Sequence, residues 1–280
     1  MELKTEIRGQ GYPILCLHGH PGCAASMSVF TDYLSRQYQT ITPDLRGYGK
    51  SQYQKTFQMQ DHLTDIIALL DKHQIEQCLV LGWSLGGIIA MELALKQPER
   101  FKGMILIATA AHPRSSHPKE TWQDLVFTAI SGIVNYIKPA WQWNIDTFGK
   151  RSLFRYLISH HQPESYYYLA KEGVPAYLQT SKAANNALFS AIKAGYNRVS
   201  DLAQIDIPCL MLSGECDRHI TAEASQQTAQ NLKSCQYINY PQVAHLFPWE
   251  IPQQVLADIQ HWLLQGMRNK EQGMRNKNEL

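Results

Sequence analysis

Ser84, Asp217 and His245 are the residues of this chain whose types could together attack a carbonyl. A serine hydroxyl is a poor nucleophile until a base removes its proton. That base in turn needs a carboxylate to fix its tautomer and stabilise its charge. Ser84 sits in Gly82-Trp83-Ser84-Leu85-Gly86, after a short apolar run at 78–81 and before a helical pattern over 85–96 that stops ahead of Pro98. A serine on so sharp a strand-to-helix turn has its hydroxyl pushed clear of the sheet. Glycines two residues before and after let strand and helix pass closely, and Gly87 extends that corner. The free N–H groups of the helix start point at the same spot, where developing negative charge is stabilised.

The rest of the chain must bring the base and the acid to that turn. Residues 3–8 and 12–18 read as strands. The second leads into His18-Gly19-His20-Pro21-Gly22 and a helix over about 24–36. A strand at 40–43 precedes the segment 44–51, and a helix over about 60–73 precedes the Ser84 unit. Another buried strand follows at 103–108. Alternation of strand and helix predicts a mostly parallel sheet covered by helices. The alternation stops between about 112 and 206, where Trp122, Trp141, Trp143, Phe148, the run Tyr166-Tyr167-Tyr168 and Tyr177 occur without a clear strand. This stretch predicts a helical insertion, with some aromatics forming its own core and others an apolar roof over the site. Strands resume at 208–213 and 236–240, with helices near 222–232 and 252–264. The tail repeats Gln-Gly-Met-Arg-Asn-Lys from 265 and again from 272, and its glycines and lack of apolar periodicity predict disorder.

In doubly wound folds, catalytic groups lie in loops at the carboxyl ends of strands. Gly214-Glu215-Cys216-Asp217-Arg218-His219 and Pro241-Gln242-Val243-Ala244-His245-Leu246 are two such loops. Glu215, in the same loop, and Asp44 are rivals to Asp217 for the acid. Arg218 and His219 read as loop surface or pocket rim. The pair His18 and His20 lacks the further Asp-His of a metallo-hydrolase motif, so no metal site is expected. Arg46 and Lys50 follow no phosphate-binding loop, and a structural salt bridge is the expected role for Arg46.

Five segments together resemble the α/β-hydrolase superfamily: residues 18–22, 44–51, 82–87 and 214–217, and Ala244-His245 followed by Glu250 and Pro252. They extend over nearly the whole chain outside the tail. The elbow is similar to that of carboxylesterases of the pimeloyl-carrier methyl esterase type. The order Ser84, Asp217, His245 is also the order this family uses. The resemblance implies Ser84 as nucleophile, His245 as base, Asp217 as orienting acid, and the backbone N–H groups of His20 and Leu85 as the oxyanion hole. Trp83 and Leu246 are expected to line the substrate pocket. The chain departs from the commoner pattern at Val243-Ala244, where a glycine often precedes the histidine.

The expected architecture is thus an α/β-hydrolase core of residues 1–111 and 207–265, a helical cap of 112–206 and a disordered tail of 266–280. The expected chemistry is hydrolysis, without a cofactor, of a small-molecule ester or thioester with an apolar acyl or ring part. A carbon–carbon hydrolase or perhydrolase would look much the same at these motifs. A ligand sensor that retains the triad is a third reading, outside enzymes. The 280 residues carry 44% hydrophobic and 18% charged residues and a formal charge of +2. That balance is of an ordinary globular protein and gives no electrostatic footprint for nucleic acid or an anionic membrane. No membrane-spanning run is present. The charged, alternating start suits a strand rather than a signal peptide. Six cysteines without a paired motif fit buried thiols in the cytoplasm. The oligomeric state is not written in these features.

Overall fold

The computed structural model describes residues 1–278, and their side chains through residue 266; the last two residues of the predicted tail lie outside the described residues. The strands are β1 (Thr5–Arg8), β2 (Pro13–Leu17), β3 (Gln39–Pro43), β4 (Cys78–Trp83), β5 (Phe101–Ile107), β6 (Cys209–Gly214) and β7 (Cys235–Tyr240). They form one seven-stranded sheet in the order β1-β3-β2-β4-β5-β6-β7. β1 runs antiparallel to β3, and all other pairings are parallel. The predicted mostly parallel α/β-hydrolase sheet is therefore present.

Because successive side chains of a strand face opposite ways, β2 feeds two separate cores. Leu15 and Leu17 join one, with Ile66 and Leu70 of α2 (Met59–Lys72) and Ile88 and Leu93 of α3 (Leu85–Lys96). Ile14 and Cys16 join the other, with Phe30 of α1 (Ser28–Leu34) and Val255 and Ile259 of α11 (Pro252–Asn278). A sheet covered on both faces explains why its central strands read as unbroken apolar runs.

Between β5 and β6 lie α4 (Trp122–Ile137), α5 (Gln142–Thr147), α6 (Pro163–Tyr168), α7 (Val174–Leu178) and α8 (Lys182–Lys193). After β6 come α9 (Ala222–Asn231) and, beyond β7, the one-turn α10 (Phe247–Glu250). The run Tyr166-Tyr167-Tyr168 divides by face: Tyr166 and Tyr168 are buried, whereas Tyr167 is exposed.

Two expectations change. The helix expected over 24–36 is a 3-10 turn, Ala24–Met27, followed by the shorter α1. The Ala24 N–H is engaged by Asp44 Oδ1 at 2.6 Å, which ties that first turn to the neighbouring loop. The tail, predicted to be disordered from 266, is instead carried on by α11 as far as Asn278. The repeat is rich in Gln, Met, Arg, Lys and Glu, which propagate a helix already anchored by Val255, Ile259 and Leu263. A glycine costs only ~1 kcal/mol relative to alanine, too little to stop it. Among the described residues no helix is long and apolar enough to cross a membrane.

Candidate active site

Ser84 stands between the end of β4 and the start of α3 with φ +53° and ψ −115°. A non-glycine residue held there is strained, and its surroundings must fix it. The Ser84 N–H donates to the Ile107 carbonyl at 2.8 Å. Its carbonyl accepts from Thr109 Oγ1 at 2.8 Å and from the Gly87 N–H at 2.9 Å. The glycines are required by contact. A Cβ on Gly82 would lie 2.4 Å from the Gly86 carbonyl oxygen, and one on Gly86 would lie 2.1 Å from that of Leu17. Gly87 leaves room for Thr109, whose methyl would meet a Cβ there at 2.3 Å. The serine backbone is thus clamped while the side chain takes no part in the clamp.

His245, on the loop after β7, is brought to Asp217, on the loop after β6. His245 Nδ1–H donates to Asp217 Oδ2 at 2.7 Å, and both side chains are buried. Asp217 Oδ1 accepts from the backbone N–H groups of His219 at 2.8 Å and Ile220 at 3.0 Å. A carboxylate held by three donors orients the imidazole and leaves its Nε2 free to exchange a proton. The rivals are employed elsewhere. Glu215 is exposed and accepts from the Gln242 N–H at 3.0 Å. Asp44 braces two loops through the N–H groups of Ala24 and Lys50, at 2.6 and 2.7 Å. Arg46 forms the expected salt bridge, gripping Asp65 at 2.6 and 2.7 Å.

The loop after β2 closes the third side. His18 is fully buried: its Nε2 accepts the Leu45 N–H at 3.0 Å, so Nδ1 carries the proton that it gives to the Gly19 carbonyl at 2.8 Å. Gly19 lies so near the elbow that a Cβ there would be 3.1 Å from Ser84 Cβ. His20 follows, its Nδ1 2.9 Å from the Tyr48 hydroxyl. Leu85 opens α3, and the N–H groups of a first helical turn have no acceptor within their own helix. Among the described residues no group of three or more His, Cys, Asp or Glu is placed to hold a metal.

A cavity of about 570 Å³ lies against this constellation. His20, Trp83, His245 and Leu246 line it from the sheet side, and Leu125, Ile133, Phe154, Tyr177 and Leu178 from the insert. Trp83 is buried beside His245, with ring centroids 5.9 Å apart, and packs edge-on against Trp249 at 4.7 Å. Tyr168 stacks on Trp249 at 4.2 Å, so the insert is welded to the catalytic side by aromatic contact. Of three further contributors, Thr109 is not legible in the sequence, His219 reads there as loop surface or pocket rim, and Glu250 only as part of a motif. Thr109 follows β5 without a local motif. His219 lines the cavity and stands edge-on to His245 at 5.0 Å. Glu250 accepts the N–H groups of Ala244 and Ser159 at 3.0 Å each and that of His160 at 2.5 Å, joining the His245 loop to the insert.

Burial also sets a pH dependence. His20 and His62 are both pushed down to about 4 from the ordinary 6.5, in each case first by desolvation and then by His18. The unfolded chain takes up these protons near 6.5, whereas the folded protein resists them until about 4. Stability therefore falls as pH drops through that window. At ~1.4 kcal/mol per pH unit, His62 alone would withdraw ~2 kcal/mol between pH 6.5 and 5. Thermal melts at pH 7.5 and 5 should differ by roughly 5 °C, and His62→Gln should reduce the difference. Equal midpoints would show that these imidazoles protonate freely in the folded state.

The α/β-hydrolase fold family matches residues 12–252, and the chain belongs to that family. Within it, the chain is 25% identical over 255 residues to YugF, an uncharacterized hydrolase of Bacillus subtilis, covering 88% of each. It is 26% identical over 262 residues to the pimeloyl-[acyl-carrier protein] methyl ester esterase of Chromobacterium violaceum, covering 88% of this chain and 91% of that protein. Among solved structures, a thermophilic esterase from Thermogutta terrifontis superposes with a TM-score of 0.67 at 24% identity, covering 94% of this chain and 93% of the other.

Proposed function

We propose that this protein is a cofactor-independent serine esterase for carboxylic esters or thioesters with an apolar acyl or ring part. The observation that carries the reading is the buried Asp217–His245 pair beside a strained Ser84 elbow, under an apolar cavity. Similarity to methyl ester esterases over most of the chain supports the ester as the scissile group. In this reading Ser84 Oγ attacks the carbonyl carbon while His245 Nε2 takes its proton. The N–H groups of Leu85 and His20 receive the oxyanion. His245 returns the proton to the departing alcohol or thiol, leaving an acyl-enzyme on Ser84. Water, deprotonated by the same imidazole, then releases the acid.

Residues 112–206 serve as the cap over this site, with Tyr177 and Leu178 facing the acyl part. All six cysteines are free thiols, which supports a reducing compartment such as the cytoplasm. Steady-state hydrolysis of methyl and aryl esters of increasing acyl length tests the reading. The expected result is Ser84-dependent multiple turnover with a clear length optimum set by the cavity. Turnover that ignores acyl length would remove the cavity from the acyl role, and a stoichiometric burst without turnover would remove the esterase.

A further inference from the structure

Helix α4 is built inside out. Its buried residues are Asp124, Ser131 and Asn135. These polar side chains turn inward, where Asp124 and Asn135 find partners and the Ser131 hydroxyl has none. Asp124 Oδ1 accepts from Arg155 Nη2 at 2.7 Å, and Asn135 Nδ2 donates to the Tyr166 carbonyl at 2.7 Å. The opposite face presents Trp122 (72% exposed), Val126, Ile133 (62%), Tyr136 and Ile137 (76%) to the surroundings. An amphipathic helix on water puts its apolar stripe on the core. Reversal of that stripe over 16 residues, ~24 Å of helix, marks a surface that meets something apolar.

Three observations select the occupant. The first is continuity with the cavity. Leu125 and Ile133 of α4, with Tyr177 and Leu178 across from them, are exposed and also line it, so the apolar face is the rim of the mouth. A second protein chain sealed over this rim would shut the cavity, whereas a fluid apolar phase would open into it. Charge is the second. Asp124 is the only acidic residue of α4 and it points inward, so no carboxylate stands on the outer face. Lys119 and Lys138 flank the helix, with exposed Glu120 beside Lys119, and Lys138 Nζ lies 4.2 Å over the Trp141 ring. Third, exposed tryptophan and tyrosine beside lysine suit the depth at which acyl chains give way to phosphate headgroups.

We propose that the outer face of α4 docks on a phospholipid bilayer surface, lying in the interface without spanning it and opening the cavity mouth toward the acyl chains. The attachment rests on burial of the apolar face, with the flanking lysines meeting headgroup phosphates. The net charge of +2 gives little long-range attraction. This docking does not require the esterase reading, because it concerns the rim and not the chemistry.

The test is co-sedimentation of the full chain with large unilamellar vesicles of phosphatidylcholine and phosphatidylglycerol, wild type beside the double variant Val126→Glu with Ile137→Glu. Neither substituted residue lines the cavity, and both already face outward. The variant should keep its circular dichroism spectrum, its melting temperature and its turnover of a water-soluble short-chain ester. The wild type should partition onto vesicles, and the variant should lose ~10-fold or more of that partition. Equal partition of both proteins would overturn the proposal, as would a wild type that stays in the supernatant. A wild type that ignores vesicles but sediments as a dimer, split by the variant, would assign the face to a second copy. Failure of ester turnover with vesicle binding intact would strike the esterase reading alone.

Discussion

Replacing Ser84 by alanine is expected to cut ester turnover by about 10,000-fold or more while leaving the fold and its melting temperature nearly unchanged. The two halves of that expectation come from different atoms. The strained elbow is held through the Ser84 backbone, by the Ile107 carbonyl, the Thr109 hydroxyl and the Gly87 N–H. Alanine keeps all three bonds, and the conformation at φ +53° is no harder for it than for serine. The hydroxyl contributes to none of them, so its loss falls on chemistry. Parallel measurement of kcat/KM and of thermal midpoint separates the two. A Ser84→Ala protein with full activity would sink the nucleophile assignment; one that melts far lower would show that the hydroxyl is structural.

Asp217→Asn is expected to reduce kcat by about 1,000- to 10,000-fold, against a change of less than about twofold for Glu215→Gln. Asparagine retains one oxygen, which the N–H groups of His219 and Ile220 at 2.8 and 3.0 Å will claim. Its amide nitrogen then faces His245 Nδ1, where a donor meets a donor. The imidazole escapes by moving its proton to Nε2, the atom that must be bare to accept the proton of Ser84. Any residual activity should rise with pH as hydroxide replaces the missing base. Glu215 bonds only the Gln242 N–H at 3.0 Å, so neutralising it leaves the catalytic imidazole untouched. Comparable losses from both variants would overturn the preference for Asp217 over its rival Glu215.

That pair illustrates what a linear reading can and cannot settle. The elbow is legible because its demands are steric and local: two glycines, one serine, a strand before and a helix after. Glu215 and Asp217 share one loop and one charge; the resemblance favours Asp217, and the packing buries Asp217 while leaving Glu215 in water. Thr109 carries no motif, since its role depends on a neighbouring strand 25 residues from Ser84. Aromatic composition suggested an apolar roof but could not give the facing of each ring, because direction in a helix follows from what packs beneath it. In α4 that neighbour is polar, and the stripe turned over. The tail was misread for the converse reason: its own composition lacks apolar periodicity, yet it continues a helix already docked on the sheet.

Glu250 carries a consequence for anyone who would exchange the cap. Its carboxylate holds Ala244 on one side and Ser159 and His160 on the other, while the Leu246 N–H reaches the Leu157 carbonyl at 2.9 Å. The loop that carries His245 and the insert therefore share one fastening. A graft that brings a new selectivity but no backbone donors at 159 and 160 would leave a buried carboxylate half solvated and the loop beneath it slack. Under the proposed esterase reading, selectivity and proton transfer would be coupled variables, and residues 157–160 the splice point that a chimera has to preserve.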